Sequence, residues 1–180
     1  MAKLICGVGV NNGRYPAKVN GKITKRYALW NSLLKRCYCP ERQKKQPTYI
    51  GCSVSENFKS YSYFHEWCQS QIGYKQSGFQ LNKDLLLRGN KLYSEDTCVF
   101  VPRELNVLLT TCKTARGKLP VGVSVHQGKF VAECCTDKTS PRYLGRFNTP
   151  ELAFQAYKQA KEAFIKQQAE KWEDSIDPRA

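Results

Sequence analysis

Residues 110–118, TTCKTARGK, are polar and basic and show no hydrophobic period, so one continuous core cannot run the length of this chain. They read as a linker between an aromatic-rich, irregular segment, residues 1–109, and a shorter segment, residues 119–180. No internal repeat relates the two, and two domains are expected. With 180 residues, 41% of them hydrophobic, the chain has the apolar material for packed cores, which excludes a wholly disordered protein. No run approaches the roughly 18 apolar residues that span a bilayer, and the opening MAKLICGVGV is too brief for an export signal. The expectation is a soluble, cytoplasmic protein with no membrane partner.

The net charge of +14 is uneven. Residues 1–60 hold 12 basic and 2 acidic side chains, residues 61–118 hold 8 and 5, and residues 119–180 hold 9 and 8. Such a block attracts a polyanion through counterion release, which points to nucleic acid, double-stranded DNA above all. A solubilising surface is the bland alternative. Nine cysteines occur without one CxxC pair, which removes the two-knuckle zinc pattern, although Cys37, Cys39, Cys52 and Cys68 have the chemistry to converge on a metal. Their odd number and their placement in apolar runs such as Thr97-Cys98-Val99-Phe100 favour reduced, buried thiols.

In the shorter segment, residues 121–126, 130–135 and 142–147 are β-prone runs separated by turn-forming residues. Thr149 then offers an N-cap with Pro150 in the first turn, and Ala153, Ala156, Tyr157, Ala160 and Phe164 recur at helical spacing. The small residues let a helix lie close on a sheet, giving an α+β, two-layer unit of three antiparallel strands and one helix. Period-two alternation turns Val123, Val125, Phe130, Ala132 and Leu144 inward and Ser124, His126, Lys129, Val131, Glu133 and Tyr143 outward.

The stretches GVSVHQGKFVAE and RYLGRFNTPELAFQAYKQA resemble the Apetala-type (ethylene-response-factor) DNA-binding domain over residues 120–172. The resemblance implies a sheet that lays one face into the DNA major groove, with Tyr143 where the family carries a DNA-contacting tryptophan and Lys129 where it carries a lysine. Ser124, His126, Arg142 and Arg146 complete the implied contacts. Val121 and Ser124 stand where family members place arginines, so the plant sequence preference does not transfer. His126 also reads as an exposed turn residue, and Lys129, Arg142 and Arg146 as charges that keep a strand edge from pairing.

In the first segment Tyr27, Trp30, Leu34 and Cys37 recur at helical spacing, bordered by Lys25, Arg26, Lys35 and Arg36, which predicts an amphipathic helix with a phosphate-binding border. A basic loop is expected at residues 41–47 and an extended run at residues 49–54. A second helix carries Phe58, Tyr61, Phe64 and Trp67. The order W…RC…Y.GC.V…F..F..W followed by LNKDLLLRGNKLYSEDTCVFVPRELN resembles phage-encoded HNH homing endonucleases over residues 6–109. The resemblance implies a ββα-metal domain acting in the cytoplasm of a bacterial host, with Mg²⁺ or another divalent ion held for nicking or cleaving double-stranded DNA.

Such a site needs a general base, usually histidine, and side chains that hold the metal on the scissile phosphate. The motif here reads Asn82-Lys83-Asp84, then Thr97, then Asn106, and contains no histidine. Asp84 and Asn106 are the remaining candidate catalytic and metal-binding residues, with Lys83 a candidate DNA contact. The alternative is a degenerate scaffold in which Asp84 and Asn106 only bond locally. Of the chain's two histidines, His65 falls on the aromatic helix, as a surface or core residue or as a substitute base, and His126 lies in the other segment. Two functions follow: a DNA-binding protein with or without nicking activity, or a non-catalytic regulator that binds a host protein.

Overall fold

The computed structural model describes residues 4–108, 119–135 and 141–180. The expected linker, residues 110–118, lies outside the described residues. Helix and sheet are mixed, and contacts divide the chain into two units, one of residues up to Asn106 together with Ser175–Ala180, the other Val107–Asp174. The last six residues therefore belong with the first unit, where Arg179 donates to the Asp96 carbonyl at 3.4 Å and pairs with Asp177 at 2.8 Å.

The first unit begins with a small ribbon, β1 (Lys18–Val19) and β2 (Lys22–Ile23), closed by Asn20-Gly21 at φ +50° and +74°. Two consecutive positive φ values make the tight turn that Asn-Gly favours. Helix α1 (Lys25–Tyr38) follows, and the Thr24 side chain caps it by accepting from the Tyr27 amide. Trp30, Leu33, Leu34 and Cys37 form its buried stripe, with Lys35 and Arg36 in the last turn, where cations oppose the negative helix end.

Residues 41–47 are not the expected loop: α2 (Pro40–Lys45) forms there despite having no buried residue. Pro40 and Glu41 suit a first turn, and Gln43 donates to the Cys37 and Arg36 carbonyls at 2.7 and 3.3 Å, satisfying the end of α1. The extended run shortens to β3 (Ser53–Val54), which follows a 3₁₀ turn at Pro47–Tyr49. Phe58 sits in a second 3₁₀ turn, Asn57–Lys59, and α3 (Tyr61–Ser70) starts only after the Ser60 cap. Phe58, Phe64 and Trp67 interlock in tilted and edge-to-face contacts with ring centroids 4.7–5.7 Å apart, and Trp30 donates to the Phe58 carbonyl at 2.8 Å.

Two further pairs complete this unit. β4 (Phe79–Asn82) runs antiparallel to β6 (Val99–Pro102), and β5 (Leu92–Tyr93) lies parallel to β3. Helix α4 (Arg103–Leu108) follows β6 directly, so two antiparallel strands lead into a helix.

The second unit is a three-stranded antiparallel sheet, β7 (Val123–His126), β8 (Lys129–Cys135) and β9 (Pro141–Phe147), in the order β7-β8-β9 and packed on α5 (Pro150–Trp172). Thr149 caps α5 as expected, accepting from the Leu152 amide at 3.3 Å. Ala132, Cys134 and Ala153 are fully buried between sheet and helix. Gly122, at φ +74°, lies against Tyr157: a Cβ there would sit 2.6 Å from the ring's Cγ.

Two positions keep their predicted face but differ in burial from what that face suggests. Val125 was expected inward, yet it is 57% exposed because it lies on an edge strand beside the turn. Val131 was expected outward and does share that face with Ser124 and Arg146, yet it is buried on the central strand between them.

Candidate nucleic-acid interface

Register decides which side chains share the sheet face away from α5. Lys129 pairs with His126, and Val131 pairs with both Ser124 and Arg146. Between Ala132 and Glu133 the ladder shifts: Ala132 pairs with Gly145 but Glu133 pairs with Tyr143, leaving Leu144 as the extra residue of a β-bulge. Gly145, at φ +141°, accommodates the bend. In an uninterrupted strand Tyr143 and Arg146, three residues apart, would face opposite ways. Here both pair with residues of the same parity on β8, so the bulge brings the phenol and the guanidinium to one face.

That face thus gathers Ser124, His126, Lys129, Tyr143 and Arg146, all exposed. Arg146 contacts the His126 Nδ1 at 3.2 Å and the Gln127 Oε1 at 3.4 Å, while Lys129 donates to the Asn148 Oδ1 at 2.6 Å. The Gln127 and Asn148 amides orient the cations without cancelling their charge. Among the described residues of the face, Glu133 is the one carboxylate. Arg142 is exposed but pairs with the buried Cys134, so its strand position belongs to the opposite parity and it does not join the group.

The expected basic border of α1 is divided. Lys25 and Lys35 are exposed, whereas Arg26 and Arg36 are half-buried and engaged with aromatics. Arg26 donates to the Tyr74 hydroxyl at 2.7 Å and to His65 Nε2, and Arg36 lies 5.3 Å from the Tyr49 ring centre. His65 is buried, stacked on Tyr15 with ring centres 3.7 Å apart. Burial, helped by the Arg26 charge and opposed by Glu66, lowers its pKa, so its ring is held neutral as an acceptor for Arg26.

Residues 79–108 tie their candidates into local hydrogen bonds that Asn82 links. Lys83 is buried, its ammonium 2.5 Å from both the Asp84 carboxylate and the Asn90 carbonyl and over the Tyr93 ring. Asn90 closes the loop by donating to the Lys83 and Leu92 carbonyls at 2.8 and 2.6 Å and accepting from the Leu92 amide at 2.9 Å. Asn106 accepts from Asn82 at 2.8 Å and donates to Gln80 at 2.7 Å, while the Asn82 Oδ1 holds the Asp84 and Leu85 amides.

These residues do not fit a divalent ion. The single carboxylate already faces a buried ammonium that would repel a cation, and the Asn106 amide is committed to neighbouring amides. Among the described residues no three His, Cys, Asp or Glu side chains gather as a ligand cluster, the cysteines considered for zinc included.

The sequence reading missed two features that matter here. The bulge has only Gly145 as a local signal, and the β1–β2 ribbon is announced by the Asn20-Gly21 dipeptide. Among the described residues no helix is long and apolar enough to cross a membrane. No family model, curated protein or solved structure matches this chain.

Proposed function

We propose that this protein binds double-stranded DNA in the cytoplasm, laying the outer face of β7–β9 along a groove, and that it does so without cutting the DNA. The observation that carries the reading is the exposed set His126, Lys129, Tyr143 and Arg146 on the sheet face away from α5, its cations oriented by the Gln127 and Asn148 amides. Lys129 and Arg146 supply phosphate contacts, and Tyr143 supplies a flat surface with a hydroxyl for a base edge or sugar. The likeness of this segment to Apetala-type domains agrees in placing Lys129 and Tyr143 on the contacting side.

The absence of cleavage is motivated by the Lys83–Asp84 pair and the Asn82–Asn106–Gln80 amide chain, which occupy the groups a nuclease would need free. The strand-strand-helix order of β4, β6 and α4 is then a scaffold akin to the HNH motif with its chemistry replaced by local bonds.

A titration of a short mixed-sequence duplex with the full chain tests the binding. Replacing Lys129 and Arg146 by alanine should reduce the slope of log affinity against log salt by about 1.8, since each phosphate contact contributes about 0.9. A protein that shifts no duplex at low salt would instead support a regulator that binds a host protein. Supercoiled plasmid should survive incubation with Mg²⁺ or Mn²⁺, and Asp84→Ala should leave that unchanged; metal-dependent nicking lost in Asp84→Ala would restore the nuclease.

A further inference from the structure

We propose that the β1–β2 ribbon is a second DNA-contacting element, one that enters the major groove of the duplex; this rests on the DNA-binding reading above. The ribbon's four strand residues are all exposed, Val19 and Ile23 by 52% and 56%. A hairpin this short is marginal by itself in water, so a structure that keeps one away from any core has to hold it from its ends.

Both ends are held. On one side Tyr15 stacks on His65 and donates to the Glu66 carboxylate at 2.9 Å, and Arg14 pairs with the same carboxylate at 2.8 Å. On the other, the Thr24 amide donates to the Ala17 carbonyl at 3.0 Å while the Thr24 side chain caps α1. The ribbon is thus ordered in advance of any partner, which lowers the entropy cost of binding.

Its pattern decides among partners. The register pairs Lys18 with Ile23 and Val19 with Lys22, so each face of the ribbon presents one ammonium and one aliphatic side chain. A ribbon meant to lie on a protein surface or a bilayer would segregate its apolar residues to one face. A mixed pattern on both faces suits an environment that surrounds the element, with phosphates on either wall for the lysines and base edges, thymine methyls included, for Val19 and Ile23. The major groove, about 12 Å wide, admits a two-stranded ribbon and offers that environment.

Charge favours the same partner. From residue 4 to residue 40 the chain carries Arg14, Lys18, Lys22, Lys25, Arg26, Lys35 and Arg36 and no acidic residue, the first being Glu41. An added protein strand would find only two residues of edge on either side, too little for a stable ladder.

The test compares the full chain with Lys18→Ala/Lys22→Ala, Val19→Ser/Ile23→Ser and the Lys129→Ala/Arg146→Ala variant on the same short mixed-sequence duplex, from about 50 to about 200 mM salt. The lysine pair should make the salt slope shallower by about 1.8, and the aliphatic pair should weaken binding severalfold at every salt with the slope unchanged. Ribbon variants that bind like the unaltered chain while the sheet variant weakens would overturn the ribbon alone. An unaltered chain that binds no duplex overturns both readings. A measurement free of substitutions accompanies these: saturating duplex should slow acetylation of Lys18 and Lys22 by an amine-reactive reagent severalfold, read by peptide mass, and equal rates with and without DNA reject the contact.

Discussion

Gly122→Ala isolates the contact on which the second unit's two layers depend. The alanine would have to adopt φ +74°, a left-handed conformation that costs a residue with a Cβ about 1–2 kcal/mol. Its methyl would also stand 2.6 Å from Cγ of Tyr157, the root of the ring, so rotating the ring cannot clear it and α5 must shift away from the start of β7. Overpacking of this kind costs about 1–3 kcal/mol, for a total of about 2–5 kcal/mol. A unit of this size gains only about 3–10 kcal/mol from folding, so the variant should be largely destabilised at 37 °C. Hydrogen exchange followed by peptide mass reads this locally: amides of β8 should lose protection while those of α1 and α3 keep theirs. Adding Tyr157→Ala makes room for the methyl, so the double variant should be more stable than the sum of the two single losses by about 1–2 kcal/mol. Exchange in β8 within about 0.5 kcal/mol of the unaltered chain, or strict additivity of the two substitutions, would refute the argument.

Three further outcomes follow from the geometry. His65 has its pKa lowered in the folded state, so the folded chain binds fewer protons than the unfolded one just below pH 6.5; its contribution is whole above that pH and declines as acid is added, levelling off below the folded-state pKa. His65→Gln should flatten the stability profile of the first unit just below about pH 6.5, and an unchanged profile would count against a neutral His65. Asn90→Ala removes three hydrogen bonds from a buried loop and should cost about 2–4 kcal/mol in denaturant melts, with a loss under about 0.5 kcal/mol contradicting the clamp. Burial pushes the Cys37 and Cys98 thiols up to about 12, so at pH 8 a maleimide should label exposed Cys135 well before either of them; comparable rates would place those thiols in water.

The second unit was legible because its signals are local. Three β-prone runs, a turn at Gln127-Gly128 and a Thr149-Pro150 helix start each act within a few residues, and every one appears where expected. The stripe of α1 was legible for the same reason. Helix α2 was not, since it buries nothing and owes its existence to Gln43 bonding the end of α1. The β1–β2 ribbon carried a readable turn dipeptide but no hydrophobic alternation to make its flanks look like strands. Between residues 82 and 106 the sequence suggested Asp84 and Asn106 as a metal pair, with Lys83 a DNA contact. What engages Asp84 is the buried Lys83, held under Asn90 and over Tyr93 by a loop closure that no spacing announces. The return of Ser175–Ala180 to the first unit was equally silent in the pattern.

The extra residue in β9 also separates what the outer face is made of from how it is shaped. Bulges bend a strand and tighten its local twist, so Leu144 sets a curvature. Deleting it would leave Gly145 opposite Ala132 and Tyr143 opposite Glu133, so each partner along the ladder would survive while the strand straightened. Tyr143, Lys129 and Arg146 would still share a face, but a flatter one. A groove that winds about a helical axis rewards a surface of matching twist, and a flattened copy with identical chemistry would meet fewer phosphates at once. Shape and composition of the face are in this way independently adjustable, the one by a single inserted residue and the other by substitution on either side of it.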